Sequence, residues 1–131
     1  FHNNVKTLET EGSGIKVLGP EGGSAFVYMH ADEGDDNADK YHLQVDQDGT
    51  GFYIKNEVSG STETNLRALG NGQVELFYDN TKRAETTNTG FTVTGTLAAT
   101  AVTGDGSGLT YVGMDTSNVS ADTLIVSGKT K

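Results

Sequence analysis

The sequence predicts an all-β protein that forms a unit of an elongated fibre, with a small β-sandwich or meander as an insert. Turn signals built from Gly, Asn, Asp and Ser recur about every dozen residues between short apolar runs. No segment has the apolar periodicity that is typical of a helix. Residues 77–95 also recur, in weaker form, as residues 1–19.

The repeat aligns residues 77–95 with residues 1–19 without a gap. The matching pairs are Phe77/Phe1, Asn80/Asn4, Lys82/Lys6, Glu85/Glu9, Thr86/Thr10, Gly90/Gly14, Val93/Val17 and Gly95/Gly19. Because the matches keep both turn and strand positions, they indicate one supersecondary unit used twice, as in a fibre or array. The chain begins on Phe1, in the middle of this motif, and we expect it to be a fragment or a processed piece.

The composition predicts a core that several copies of the chain share. Leu, Ile, Val and Phe total 28 of the 131 residues, which is few for a single chain that must offset its conformational entropy. The net charge of −9 argues against binding to nucleic acid or to anionic lipid. The absence of Cys excludes a disulfide scaffold and thiolate metal ligands. No apolar run is long enough to predict insertion into a membrane.

Residues 1–23 are expected to be the end of an N-terminal shaft repeat. Two short strands are predicted around Val5–Leu8 and Ile15–Leu18, with the polar turn Glu11–Gly14 between them. The cluster Gly19–Gly23, which contains the only Pro of the chain, predicts a boundary.

Residues 24–78 are expected to be a compact β domain. Ala25–His30 is apolar at alternate and intervening positions alike, which predicts a central strand covered on both faces. Further strands are predicted at Tyr41–Val45, Phe52–Ile54, Asn65–Leu69 and Val74–Tyr78, with turns at 46–51, 59–61 and 70–72.

Residues 79–131 are expected to be a C-terminal shaft repeat with small-residue and Gly-rich segments. A polar connection follows Tyr78 and leads to a short strand at Phe91–Val93. The small residues of Thr96–Thr103 suit the close approach of several chains around a narrow axis. Gly104–Gly108 predicts a turn or bulge, and Leu124–Gly128 has the pattern of a further unit.

Several of these segments together resemble a known class of protein. The segments are 31–40 (ADEGDDNADK), 72–80 (GQVELFYDN), 92–95 (TVTG) and 104–109 (GDGSGL), and they resemble tail-fibre and related virion fibre proteins of marine bacteriophages, especially those that infect cyanobacteria. The resemblance implies a homotrimer of intertwined β shafts that carry small β domains. It also implies an extracellular place on the virion tail, other tail proteins as partners, and host attachment through a surface glycan or protein.

The acidic loop is the first candidate for a metal site. Asp32–Asp39 holds five carboxylates that can supply oxygen ligands to Ca²⁺, although such a run is more often a solvated hairpin loop. His30 and His42 bracket this loop and, with Asp32 or Asp39, are a second candidate. The histidine candidate has no recognised ligand spacing, and the sequence assigns no metal site and no cofactor, with Ca²⁺ binding by Asp32–Asp39 left as an open alternative.

Catalytic residues are not predicted either. A glycoside hydrolase needs two facing carboxyl groups, for which Glu75 with Glu85, or Glu57 with Glu63, can be considered, but nothing singles out one pair. Nucleophile-elbow, Walker A and HExxH motifs are absent from the sequence. In Phe52-Tyr53 and Phe77-Tyr78, alternation sends one ring of each pair out of the core, towards a subunit interface or a sugar.

The sequence as a whole therefore predicts a non-catalytic structural segment of a bacteriophage tail fibre, without assigned receptor-binding residues. A polysaccharide-degrading tailspike and a capsid decoration or cement module are the alternatives.

Overall fold

The computed structural model describes residues 5–104, which form nine strands, and every pairing between them is antiparallel. The strands are β1 (Leu8–Glu11), β2 (Gly14–Val17), β3 (Ala25–His30), β4 (Lys40–Val45), β5 (Gly51–Asn56), β6 (Glu63–Leu69), β7 (Val74–Tyr78), β8 (Thr81–Thr87) and β9 (Gly90–Val93). β1 and β2 form a hairpin, and β3 to β9 form a seven-stranded meander in sequence order. The predicted all-β class is confirmed.

Helical structure in the described residues is limited to two single 3₁₀ turns, Asp32–Gly34 and Asn37–Asp39, between β3 and β4. Within residues 5–104, no helix has the length and apolar character that crossing a membrane requires. The described residues divide into two units, 5–97 and 98–104. Residues 96–103 form neither helix nor strand. The predictions for Gly104–Gly108, beyond Gly104, and for Leu124–Gly128 lie outside the described residues.

Two-residue and short turns set the register of the meander. The Asp46 N–H donates to the Gly51 carbonyl at 2.9 Å and closes the β4–β5 turn, as the sequence predicts. Asp79 and Asn80 both have positive φ, +50° and +52°, and join β7 to β8. Two consecutive residues in this conformation are typical of a type I′ hairpin, whose twist matches that of the strands.

Two predicted elements are wrong in a way that has a physical reason. Ala25–His30 is not a central strand: β3 lies at the end of the seven-stranded sheet and pairs with β4 alone. The apolar residues on the second face of β3 are aromatic and pack against each other, because the ring centres of Phe26 and Tyr28 stack 5.4 Å apart. The polar connection after Tyr78 is also wrong, because Thr81–Thr87 is strand β8.

The sequence repeat is confirmed in the structure for residues 5–19 and 81–95. Leu8 pairs with Val17 as Ala84 pairs with Val93, and the remaining three cross-strand pairs of each hairpin agree in the same way. The Leu18 N–H donates to the Thr7 carbonyl at 2.9 Å, and its counterpart bond joins Thr94 to Arg83 at 2.7 Å. The ion pairs Lys6–Glu9 and Lys82–Glu85 both measure 2.7 Å.

The seven-stranded sheet has two chemically different faces, because successive side chains of a strand point to opposite sides. We call one the apolar face; its large side chains are Val27, Met29, Tyr41, Leu43, Val45, Phe52, Ile54, Leu66, Val74, Leu76, Phe91 and Val93. We call the other the polar face; it carries Tyr28, His42, Gln44, Tyr53, Lys55, Arg67, Glu75, Lys82 and Glu85.

A conventional hydrophobic core is missing from the part of the chain that the structure describes. Among residues 5–104 no hydrophobic side chain is fully buried, and the buried polar residues are His42, Asn56 and Glu75. On the apolar face Met29 is 48% exposed and Leu76 is 44% exposed. Val17 of the hairpin lies near one corner of this face, beside Val27 and Val45. Away from this corner the side chains of the apolar face are half-buried or exposed.

Candidate functional site: the two faces of the sheet

The apolar face contains a row of aliphatic side chains that crosses all seven strands. Each residue of the row lies directly opposite the next across the strands, in the order Val27, Leu43, Ile54, Leu66, Leu76, Ala84 and Val93. A second row runs beside it through Ala25, Val45, Phe52, Ala68 and Val74. No charged side chain belongs to either row. Exposure of such a surface to water is unfavourable, and its burial against another apolar surface lowers the free energy.

Glu75 is the centre of the polar face. Its Oε2 accepts hydrogen bonds from Nε and Nη2 of Arg67, both at 2.6 Å, and its Oε1 lies 3.2 Å from Nζ of Lys82. The Gln73 amide donates to the same Oε1 at 3.2 Å. These donors, the Arg67 guanidinium first, lower the pKa of Glu75 to about 2 although burial opposes the shift. The carboxylate is 1% exposed and stays ionised.

Cation–ring contacts extend this network along the polar face. Nζ of Lys55 lies 4.5 Å from the centre of the Tyr53 ring and also donates to Oε1 of Gln44 at 2.7 Å. The Arg67 guanidinium lies 5.9 Å from the centre of the Phe77 ring. The polar face is thus held by ion pairs, hydrogen bonds and ring contacts within one chain, whereas large side chains of the apolar face, among them Met29 and Leu76, stay exposed.

A ring cluster occupies the β3–β4 end of the polar face. The His42 ring is 5% exposed and lies 5.7 Å from Phe26 and 5.5 Å from Tyr28. Burial, and then the positive charge of Lys55, lower the pKa of His42. His30 contacts the other side of Tyr28 at 6.1 Å. The two histidines therefore share one face, and the Tyr28 ring lies beside both of them.

The acidic loop brings Asp35, Asp36 and Asp39 together. Their carboxylate oxygens lie within 4.8 Å of one another, and in the described residues this is the single group of three or more possible metal ligands at that spacing. Neither His30 nor His42 belongs to it. Oδ1 of Asp36 accepts the Ala38 N–H at 2.8 Å, so one oxygen already stabilises the turn. With one oxygen from each side chain, these three carboxylates supply three of the six or more oxygen ligands that Ca²⁺ takes, and backbone carbonyls or water would have to supply the rest.

The structure also brings together one of the carboxyl pairs considered from the sequence. Glu75 and Glu85 are cross-strand partners on β7 and β8. Lys82 lies between them, 3.2 Å from Glu75 and 2.7 Å from Glu85. A general acid needs a pKa near the working pH, and Glu75 with a pKa of about 2 does not meet this requirement. Glu57 and Glu63 flank the β5–β6 connection.

The aromatic pairs separate between the two faces. Phe52 lies on the apolar face, 39% exposed, and Tyr53 lies on the polar face below Lys55. Phe77 lies on the polar face near Arg67, and Tyr78, 72% exposed, lies on the opposite side of β7.

The sequence does not reveal the Arg67–Glu75–Lys82 network, because the network joins three strands and the polar residues of one of them, β8, predict a connection. The Asp79-Asn80 pair was the signal that could have revealed β8, since both residues tolerate the positive φ of a two-residue hairpin turn.

Across residues 5–104 the fold is all-β: a two-stranded hairpin and a seven-stranded antiparallel meander, one face of which is apolar and partly exposed. No family model, curated protein or solved structure matches the chain.

Proposed function

We propose that this chain is a structural, non-catalytic segment of a bacteriophage tail fibre, in which three copies share one core and support attachment to the host surface. A single observation carries the proposal: an unbroken apolar face crosses seven strands, while no hydrophobic side chain among residues 5–104 is fully buried. The resemblance of residues 31–40, 72–80 and 92–95 to virion fibre proteins supports the choice of a fibre.

The energetics favour association through the apolar face. Full burial of one Val, Leu, Ile or Phe side chain is worth about 1.5–3 kcal/mol, and the two rows offer many such side chains. If three apolar faces turn inwards around one axis, each chain supplies the cover that the others lack. The polar face, with its internally paired charges, then remains in water.

Attachment follows from this arrangement by multivalency. A trimer presents every surface group in three copies, and several weak contacts to a host glycan or protein sum through a high effective concentration. The fibre would lie outside the host cell on the virion tail and would bind other tail proteins at its ends. Glu75 and Glu85 have a structural part in this proposal, because Lys82 pairs with both carboxylates.

Light scattering coupled to size-exclusion chromatography tests the proposal on the isolated chain. We expect a mass of three chains, and we expect Leu76→Lys on the apolar face to give monomers. Because the chain carries a net charge of −9, an added Lys does not increase the overall repulsion between copies. Thr92→Lys is the matched control, since Thr92 is exposed on the polar face, and it should remain trimeric.

A stable monomer of the unaltered chain, or equal behaviour of the two variants, would contradict a shared core. The place on the particle needs a separate measurement, because association alone does not distinguish a tail from a capsid. Gold-labelled antibodies against the chain should decorate the tails of the particles that carry it, and decoration of the capsid shell would contradict the tail-fibre part.

A further inference from the structure

The two equivalent hairpins differ in what lies along their outer edge. β8 and β9 have the same register as β1 and β2, displaced by 76 residues. The outer edge of β8 pairs with β7. β1 has β2 as its strand partner, and no second strand pairs with it among residues 5–104. One copy of the repeat thus has three strands in place, and the other has two.

β8 holds β7 through contacts whose residues recur in β1. Oγ1 of Thr86 accepts the Val74 N–H at 3.0 Å, and Nζ of Lys82 lies 3.2 Å from Oε1 of Glu75. Ala84 lies opposite Leu76. The corresponding residues of the first hairpin are Thr10, Lys6 and Leu8. The first hairpin therefore has counterparts of both groups that contact β7: Thr10 corresponds to the hydroxyl acceptor Thr86, and Lys6 corresponds to the cation Lys82.

The backbone of β1 is also oriented to receive a strand. The Leu18 N–H bonds to the Thr7 carbonyl, and hydrogen-bonded and non-bonded pairs alternate along an antiparallel hairpin. The backbone groups of Leu8 and Thr10 consequently point away from β2, to the edge with which no strand among residues 5–104 pairs. The Leu8 side chain is 59% exposed. A two-stranded hairpin is marginally stable in water, and a third strand stabilises it.

We propose that the outer edge of β1 binds the β7 strand of a second copy of this chain, as β8 does within one copy. Because β7 already pairs with β6 and β8 in one chain, the β1–β2 hairpin of one chain must displace β8–β9 from β7 of the other, as one structural repeat replaces its equivalent. Glu75 of the incoming strand would meet Lys6, and this opposite charge favours the β7 strand over other extended segments. The inference rests on the repeat and on a sheet edge, not on the apolar face.

Disulfide trapping between two variants tests the exchange, since the chain contains no Cys. Leu8→Cys and Leu76→Cys chains are mixed under mild oxidation. A cross-strand pair has its Cα atoms about 5.5 Å apart, which a disulfide spans, so we expect a mixed disulfide dimer. Met29→Cys replaces Leu76→Cys in the control, because Met29 is similarly exposed on the apolar face at 48% but lies outside β7. A yield no higher than in this control would overturn the proposal.

A charge exchange tests the register of binding independently. A fluorescent peptide with the sequence of residues 72–80 should bind the full chain and shift the amide resonances of Leu8 and Thr10. Lys6→Glu in the chain should weaken binding about threefold, the size expected for one exposed ion pair. A peptide carrying Glu75→Lys should restore it. Binding that ignores Lys6→Glu, or resonance shifts confined to other strands, would overturn the proposal.

Discussion

Glu75 lies where β6, β7 and β8 meet on the polar face, and its charge is held by Arg67, Gln73 and Lys82. The pKa of Glu75 is near 2 in the folded chain and near the usual 4.3 in the unfolded chain. As the pH falls, the unfolded chain therefore binds this proton at a higher pH than the folded chain does. Its contribution to stability is complete above about pH 4.5 and is lost as the pH falls towards 2.

We expect protonation of Glu75 to lower the free energy of unfolding by about 2 kcal/mol between pH 5 and pH 2. The pKa difference alone would give about 3 kcal/mol, and we use the smaller value because solvent screens the half-exposed partners Arg67 and Lys82. Urea unfolding followed by circular dichroism at several pH values measures it. Glu75→Gln is the control, because the amide cannot titrate: it should be less stable at pH 7 and should lack this part of the pH dependence. A wild-type profile as flat as that of the variant would contradict the prediction.

His42 gives a second pH dependence in a different window. Its pKa in the folded chain is lowered by burial first and then by Lys55 and His30, while Glu57 acts in the opposite direction. The unfolded chain therefore binds the proton more tightly, and stability should be complete above about pH 6.5 and fall as the pH drops below it. His42→Gln should remove this decline. NMR titration of the His42 ring checks the cause, and a pKa above that of an exposed histidine would contradict it.

At the scale of the elements, alternation and turn residues predicted most of the strands. Tyr41–Val45 alternates apolar with polar side chains, Val74–Tyr78 follows the turn at 70–72, and the structure has β4 and β7 there. β8 was missed because Thr81–Thr87 holds one apolar residue, Ala84, and its pairing depends on neighbours distant in sequence. The edge position of β3 was missed because ring packing between Phe26, Tyr28 and His42 is a contact across strands, which periodicity does not report.

The connection between the hairpin and the sheet depends on Gly19. A Cβ atom there would lie 2.5 Å from the Gly23 carbonyl oxygen and 2.7 Å from the carbonyl carbon of Ser24, so the backbone must move. We expect Gly19→Ala to destabilise the chain by about 1–3 kcal/mol, the usual range for overpacking. Gly14→Ala is the matched control: nothing lies within 4 Å of its added Cβ, and the change should stay within about 0.5 kcal/mol. Equal midpoints of thermal unfolding for the two variants would contradict the prediction, because they would mean that the backbone around residue 19 accommodates the added Cβ without cost.

At the scale of the whole molecule, the composition predicted that the chain shares its core, and this stays a prediction, because the structure shows a single chain whose apolar face is partly exposed. The apolar rows do not determine how many chains associate, because the same rows of Val, Leu and Ile can pack in pairs or in threes. Register and side-chain alternation define which face is apolar. They do not define the angle at which two faces meet, since that angle depends on packing between copies.

Unfolding at different protein concentrations distinguishes these arrangements. If three folded chains dissociate as they unfold, the equilibrium depends on the square of the total concentration, because one trimer gives three free chains. A tenfold dilution should then lower the free energy of unfolding by about 0.9 kcal/mol per chain, two-thirds of the 1.4 kcal/mol that a factor of ten represents. A dimer would give about 0.7 kcal/mol by the same relation.

Reversible urea unfolding over two decades of concentration measures the slope. Leu76→Lys, the variant expected to be monomeric, is the control and should show no slope. A transition in the unaltered chain that does not move with concentration would mean that one chain folds alone, with its apolar face still in water.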